Sequence, residues 1–255
     1  MNKKTPKTSW GAVSEWYSDY LETTEDSYQS KVILPNLLRL LELKKGDRVL
    51  DVACGQGFFT RKVAAEGAVV SGVDISKELI EEAKKLSSKE IVYHVAPAHA
   101  LSFAKDASFD SAFIVLAIQN IENIGEVFFE IKRVLTSHGR LMLVMMHPAF
   151  RIPKKNSWGW DEKEKVQYRR VDAYLSQSTS KLLVHPGKQK SETTISYHRS
   201  LQDFSKALAG SGFVISKMEE WISHKKSQTG VRQGAEDVSR KEIPLFLMLE
   251  CTAHA

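Results

Sequence analysis

Cysteine is nearly missing from this chain. Its 255 residues hold two, Cys54 and Cys251. Two thiols so far apart make neither a disulfide framework nor a metal-ligand spacing, and so little cysteine points to a reducing, cytoplasmic setting. Long apolar runs are missing as well. None reaches the roughly 18 residues of a membrane-crossing helix, so no membrane partner is expected. The first residues, Met1 to Lys7, are basic with no apolar segment behind them, unlike a secretory leader. No internal repeat or low-complexity tract occurs, and residues 1 to 8 read as disordered.

What is present is ordinary in amount and uneven in placement. A hydrophobic content of 42% with 26% charged residues allows one large domain with a substantial core. The net charge of +5 is not spread evenly. Residues 46–146 carry 11 Lys/Arg against 13 Asp/Glu, whereas residues 147–200 carry 11 against 5. The basic segment therefore follows the acidic one, either as a solvated lysine-rich surface or as a face for an anionic partner.

The chain is organised around residues 49–59. The apolar run Val49-Leu50-Asp51-Val52 ends in Ala53-Cys54-Gly55-Gln56-Gly57, and a helical pattern follows. This is a strand, a tight loop and a helix. Glycine allows a sharp turn and close approach of a ligand, and the free N–H groups of the helix start suit an anionic group such as a carboxylate. A second apolar run, Val69 to Val73, ends in Asp74, where an acid one strand over accepts hydrogen bonds from ribose hydroxyls. The dinucleotide fingerprint is not met, because its third glycine would fall at Thr60.

The segment Asp51-Val52-Ala53-Cys54-Gly55-Gln56-Gly57 resembles motif I of class I S-adenosylmethionine (SAM)-dependent methyltransferases, nearest to the small-molecule branch (methyltransferase type 11) that includes ubiquinone- and menaquinone-pathway C-methyltransferases. The likeness continues through Val73-Asp74-Ile75-Ser76, Ser108-Phe109-Asp110, Lys132-Arg133-Val134-Leu135 and Gly139-Arg140-Leu141, covering residues 46–146. It implies SAM as cofactor and S-adenosylhomocysteine as product. Asp51, Ala53, Cys54, Gly55 and Gly57 would hold the methionine portion, Asp74 the ribose, and Ile75 would pack on adenine, with Leu116 beside them. Many relatives carry an aspartate in the loop after the third strand that binds the adenine amino group. Pro97 stands in that place here, so Ala98 or His99 would supply the contact.

Strands alternating with helices predict a Rossmann-like, mostly parallel sheet of seven strands with helices on both faces. The strands are expected directly after the turn at Lys44-Lys45-Gly46-Asp47, at 69–74, 91–95, 109–116, 141–146, from 213, and at 244–249. The last is antiparallel, because no helix is visible before it. Ser76 reads as an N-cap for a helix to about Leu86, with Glu78 and Lys84-Lys85 matching the helix dipole. Residues 1–45 form an N-terminal helical cap, with Pro35 near a helix start. Residues 46–146 form the SAM-binding core, 147–200 an insertion acting as a substrate lid, and 201–255 the end of the sheet.

Ligands of open α/β sheets lie at the carboxyl ends of the strands. Gln119, His147, the insertion and the stretch His224-Lys225-Lys226 all reach that face. A methyl transferred in line from a sulfonium needs alignment and exclusion of water more than a catalytic group. Where a base is required, His147 is the first candidate, then His198, then His99. Tyr17, Tyr20, Gln119, Trp158, Trp160, Tyr168, Arg169 and Arg170 are the candidate acceptor-binding residues, the arginines for an anionic group. An aromatic-rich segment this long is functional rather than disordered. The preferred reading is transfer to a small-molecule acceptor by a monomer or homodimer. Two alternatives stand beside it: an RNA or protein target docked on the basic segment, and a non-catalytic SAM-binding module. The fourth strand lacks the Asn/Asp-Pro-Pro-Tyr ending of many amino-group methyltransferases, and no Pro-Cys pair of the cytosine-C5 type occurs. Both absences weigh against a nucleic-acid target.

Overall fold

The computed structural model describes residues 23–183 and 193–254. Trp10, Trp16, Tyr17, Tyr20 and His185 lie outside the described residues. After a π-helical turn at Gln29–Ile33 come α1 (Leu34–Leu41), β1 (Arg48–Val52), α2 (Phe58–Ala65), β2 (Val69–Asp74), α3 (Lys77–Leu86), β3 (Val92–Val95) and β4 (Phe109–Val115). They are followed by α4 (Ile124–Val134), β5 (Leu135–Met146), β6 (Asn156–Asp161), β7 (Val166–Val171), β8 (Ser178–Leu183) and β9 (Thr193–His198). The chain closes with α5 (Leu201–Gly210), β10 (Phe213–Trp221), α6 (Gln233–Glu242) and β11 (Phe246–Ala253).

The main sheet has seven strands in the order β10-β11-β5-β4-β1-β2-β3. β11 runs antiparallel to both neighbours, and the pairings from β5 through β3 are parallel. The chain winds outward from β1 to β3, then returns to the other side of β1 as β4. The strand order therefore reverses between β1 and β4, which is where such sheets bind ligands.

Side chains alternate along each strand, so a fully buried strand feeds two cores. Leu141, Leu143 and Met145 of β5 join Leu50, Val52 and Ile114 under α4 (Val127, Phe128, Ile131) and α5 (Phe204, Leu208). Met142 and Val144 of the same strand point the other way and join Val49, Phe113 and Met248 under α1 (Leu37, Leu40, Leu41). Pro35 lies in the first turn of α1, where its missing N–H costs nothing. Arg140 donates to Leu40 O at 3.2 Å and Leu41 O at 2.6 Å, placing a cation on the orphan carbonyls at the end of that helix. Ser76 caps α3 as its sequence indicates, accepting from Leu79 N at 3.3 Å.

One expectation needs correction. A helix, α6, does precede the last strand. It has no apolar stripe, and Ser239 is its only buried residue, so hydrophobic periodicity cannot show it. It is held instead by polar contacts, Ser239 Oγ to Gln167 O at 2.6 Å and Arg240 Nε to Ser227 Oγ at 2.9 Å. The described residues after β5 pair as two antiparallel hairpins, β6–β7 and β8–β9. β6, β7 and β8 contain no buried residue, and β9 buries Thr194, Ser196 and His198 while exposing Ile195. Neither pattern gives the apolar alternation from which strands are read.

Candidate active site

The turn after β1 is built from left-handed backbone. Ala53, Gly55 and Gly57 have φ of 59°, 57° and 80°. Cys54 N donates to Val73 O and Gly57 N to Cys54 O, both at 3.0 Å, so the turn is tied to β2 and to itself. A Cβ on Gly57 would overlap the Tyr93 hydroxyl, whereas a Cβ on Gly55 would stand in open space. The loop is thus packed from below at Gly57 and open above at Gly55, which is the shape of a cradle. Asp51 lies beneath it, 2% exposed, and accepts from Thr60 Oγ1 at 2.6 Å. Burial is the main cause that pushes its carboxyl up to about 7, and the bond from Thr60 opposes it. Cys54 packs its Sγ beside Gly72, where an added Cβ would lie 3.0 Å from it, and burial holds its thiol protonated.

Asp74 ends β2 and closes the cradle from the side. Its Oδ2 accepts from Gly55 N at 3.0 Å and its Oδ1 from Ser76 N at 2.8 Å. Burial raises its pKa and these backbone donors oppose the rise. Each carboxylate oxygen keeps a second lone pair, so two further hydroxyl donors can be accepted. That pair of acceptors beside an open glycine backbone fits a ribose and the amino-acid tail of SAM. Ile75 and Ala98 are half-buried near the same edge. His99 is exposed, and its surroundings are a separate groove of about 470 Å³ between α4 and α5, with Phe129 and Ala207.

A cavity of about 490 Å³ begins at Leu116, the left-handed residue (φ 53°) that follows β4, beside the switch point. The strand ends supply Gln119, Asn120 and Met146, the link to the first hairpin supplies Arg151 and Lys154, and the hairpins supply Arg169, Thr194, Ser196 and His198. Asn120 fastens the second hairpin by donating to Ile195 O at 2.8 Å. Gln119 donates weakly to Met146 O at 3.5 Å, while its Oε1 is buried without a partner.

The candidate side chains separate by position. Gln119, Arg169 and His198 line the cavity. The Trp158 ring lies under the guanidinium groups of Arg151 and Arg169, at 5.7 and 4.9 Å, and Trp160 is covered by Arg232 at 4.6 Å. Tyr168 is 48% exposed, and Arg170 pairs with Asp172 at 3.0 Å on the surface. Of the second basic stretch, His224 Nε2 bonds Asp26 Oδ1 at 2.9 Å, and Lys225 pairs with the same carboxylate. Asn120, beside Gln119 at the end of the fourth strand, falls where the sequence expects the ligand face, whereas Arg151, Arg199 and Thr194 had no sequence signal as cavity residues.

The two histidines differ in what they can do. His147 Nδ1 accepts from Ala149 N at 3.2 Å, so Nε2 carries the proton and donates to Glu220 Oε1 at 2.7 Å. Both nitrogens are engaged, the ring is buried, and burial lowers its pKa against the pull of Glu220. His198 donates from Nε2 to Tyr174 O at 2.8 Å, because a carbonyl can only accept. In the neutral ring that leaves Nδ1 as the unprotonated nitrogen.

Among known families, the model described as a methyltransferase domain matches residues 50–143. An uncharacterized protein of Haemophilus influenzae is 30% identical over 197 residues, 73% of this chain and 74% of that protein. The ubiquinone/menaquinone biosynthesis C-methyltransferase UbiE of Geotalea uraniireducens is 33% identical over 115 residues, 42% of this chain and 48% of that enzyme, so the match spans about half of that relative's length. The crystal structure of an S-adenosylmethionine-dependent methyltransferase from Mesorhizobium loti superposes with a TM-score of 0.68 at 25% identity, covering 85% of this chain and 96% of that one. Among the described residues, no helix is long and apolar enough to cross a membrane. The motif I loop, the acid ending β2, the strand order and these likenesses agree: the chain belongs to the class I SAM-dependent methyltransferases.

Proposed function

We propose that the chain transfers a methyl group from SAM to a small-molecule acceptor bound in the cavity between the strand ends and the two hairpins. The observation that carries this is the cavity itself. Its volume of about 490 Å³ lies in the ordinary range for small ligands, and its lining includes Leu116 at the end of β4, the strand paired with β1. The hairpins act as its lid and exclude water from the transfer.

SAM supplies a methyl carbon already activated on a sulfonium, so the protein's work is alignment. Asp74 binds the ribose, and the Gly55 backbone faces the amino-acid tail. Asp51 holds the turn from beneath, and its carboxylate offers a counter-charge to the ammonium of that tail. Gln119 Oε1 accepts a hydrogen bond from the acceptor's O–H or N–H. Where the acceptor must lose a proton, His198 Nδ1 takes it, while His147 is a positioning residue that ties the end of β5 to β10. Calorimetry with S-adenosylhomocysteine tests the cofactor half. Replacing Asp74 with alanine is expected to weaken binding by about tenfold or more, the loss of charge-assisted hydrogen bonds. An unchanged affinity in a variant that keeps its melting temperature would sink the ribose assignment.

A further inference from the structure

The cavity holds three guanidinium groups, those of Arg151, Arg169 and Arg199, and among the described residues none of them is ion-paired with a carboxylate. That is unusual, since a buried charge without a counter-charge is costly. Arg199 is only 8% exposed. One arm donates to the Glu122 carbonyl, while its Nη1 is buried with no hydrogen-bond partner. Arg151 Nε is likewise buried and unpartnered, and burial together with the charge of Arg169 pulls the Arg151 pKa down to about 10. Arg169 is spoken for at Nε, which donates to Phe150 O at 3.0 Å. Both its guanidinium and that of Arg151 lie against the Trp158 ring. By contrast, Arg39, Arg48, Arg133 and Arg140 each reach an acid.

We infer that the acceptor carries an anionic group, a carboxylate or a phosphate, which binds between Arg151 and Arg199 and supplies the direct ion pair that neither has. Asp203 and Glu122 act on Arg199 only from beyond ion-pair distance. The inference rests on the reading of this cavity as the acceptor site. The planar guanidinium fork favours oxyanions with two oxygens to share. At the other end of the same molecule, the unpartnered Gln119 Oε1 calls for an O–H or N–H donor. The acceptor is then a small acid with a hydroxyl or amine: donor toward Gln119 and the strand ends, charge toward the hairpins.

The test uses the full chain saturated with S-adenosylhomocysteine and titrated with 4-hydroxybenzoate, its neutral counterpart 4-hydroxybenzamide, and phenyl phosphate. At least one anion is expected to bind about tenfold or more tighter than the amide, and which one does separates carboxylate from phosphate. Arg151→Gln and Arg199→Gln should each reduce that preference, and the double variant should abolish it, with S-adenosylhomocysteine affinity retained. Equal binding of acid and amide, absence of saturable anion binding at millimolar concentration, or a preference that survives in the double variant would overturn the inference. Should Arg199→Gln fail to fold, Arg151→Gln alone decides by the same ratio. Loss of S-adenosylhomocysteine binding by the unaltered protein would instead count against the cofactor reading, so the two failures are distinguishable.

Discussion

Gly55 and Gly57 sit two residues apart in the same turn, both left-handed, yet alanine at each should do different damage. At Gly57, a Cβ adds the left-handed penalty of about 1–2 kcal/mol to an overpacking cost of about 1–3 kcal/mol. The second cost arises because the methyl overlaps the hydroxyl of Tyr93, a residue 5% exposed and fixed to Ser87 at 2.9 Å. The sum, about 2–5 kcal/mol, is a large part of a domain's stability. At Gly55 only the left-handed penalty applies, about 1–2 kcal/mol, since nothing lies within 4 Å of the added Cβ. That empty space is where the cofactor reading puts the ligand, so Gly55→Ala should lose S-adenosylhomocysteine affinity by about tenfold or more while costing little fold stability. Urea unfolding and calorimetry on both variants separate the effects. Tyr93→Phe in the Gly57→Ala background removes the clashing oxygen and should recover part of the overpacking cost but none of the left-handed penalty. A Gly57→Ala variant as stable as the parent, or a Gly55→Ala variant that binds normally, would refute the cradle geometry.

Asp51 gives a pH signature. Its folded pKa of about 7 lies above the unfolded value, so the native state holds the extra proton and stability falls as pH rises between about 4 and about 7, by up to roughly 4 kcal/mol. Asp51→Asn keeps a neutral side chain of the same shape. Its stability relative to the parent should therefore rise across that window, as read from urea midpoints at several pH values, and a flat difference would contradict the burial argument. His147→Gln should cost about 1–3 kcal/mol by breaking the tie to Glu220 and Ala149, with S-adenosylhomocysteine affinity unchanged. His198→Gln, in contrast, should lower turnover of a hydroxyl acceptor by about 100-fold or more with S-adenosylhomocysteine affinity unchanged. A larger loss of turnover than of stability in His147→Gln would return the base role to that residue.

The cofactor half of this protein is legible in the amino-acid sequence because its determinants are local. A strand, a glycine turn and a helix start are contiguous, and Asp74 is placed by the length of one helix. Continuous apolar runs likewise identify the buried strands β1, β4 and β5, since each must satisfy two apolar layers. The acceptor half is different in kind. β6–β9 and α6 bury little apolar surface, so they carry no periodic signal and are held by hydrogen bonds between segments far apart in the chain, such as Ser239 with Gln167 and Asn120 with Ile195. The separation of Arg169, which faces the cavity, from Arg170, which faces water, follows from one residue of strand register. The inward turn of Thr194, Ser196 and His198, and the presence of Arg151 and Arg199 in one cavity lining, exist only once the hairpins fold over the strand ends. Local chain geometry made the cradle readable, whereas the polar cavity was decided by tertiary packing, because its residues share a site without sharing a segment.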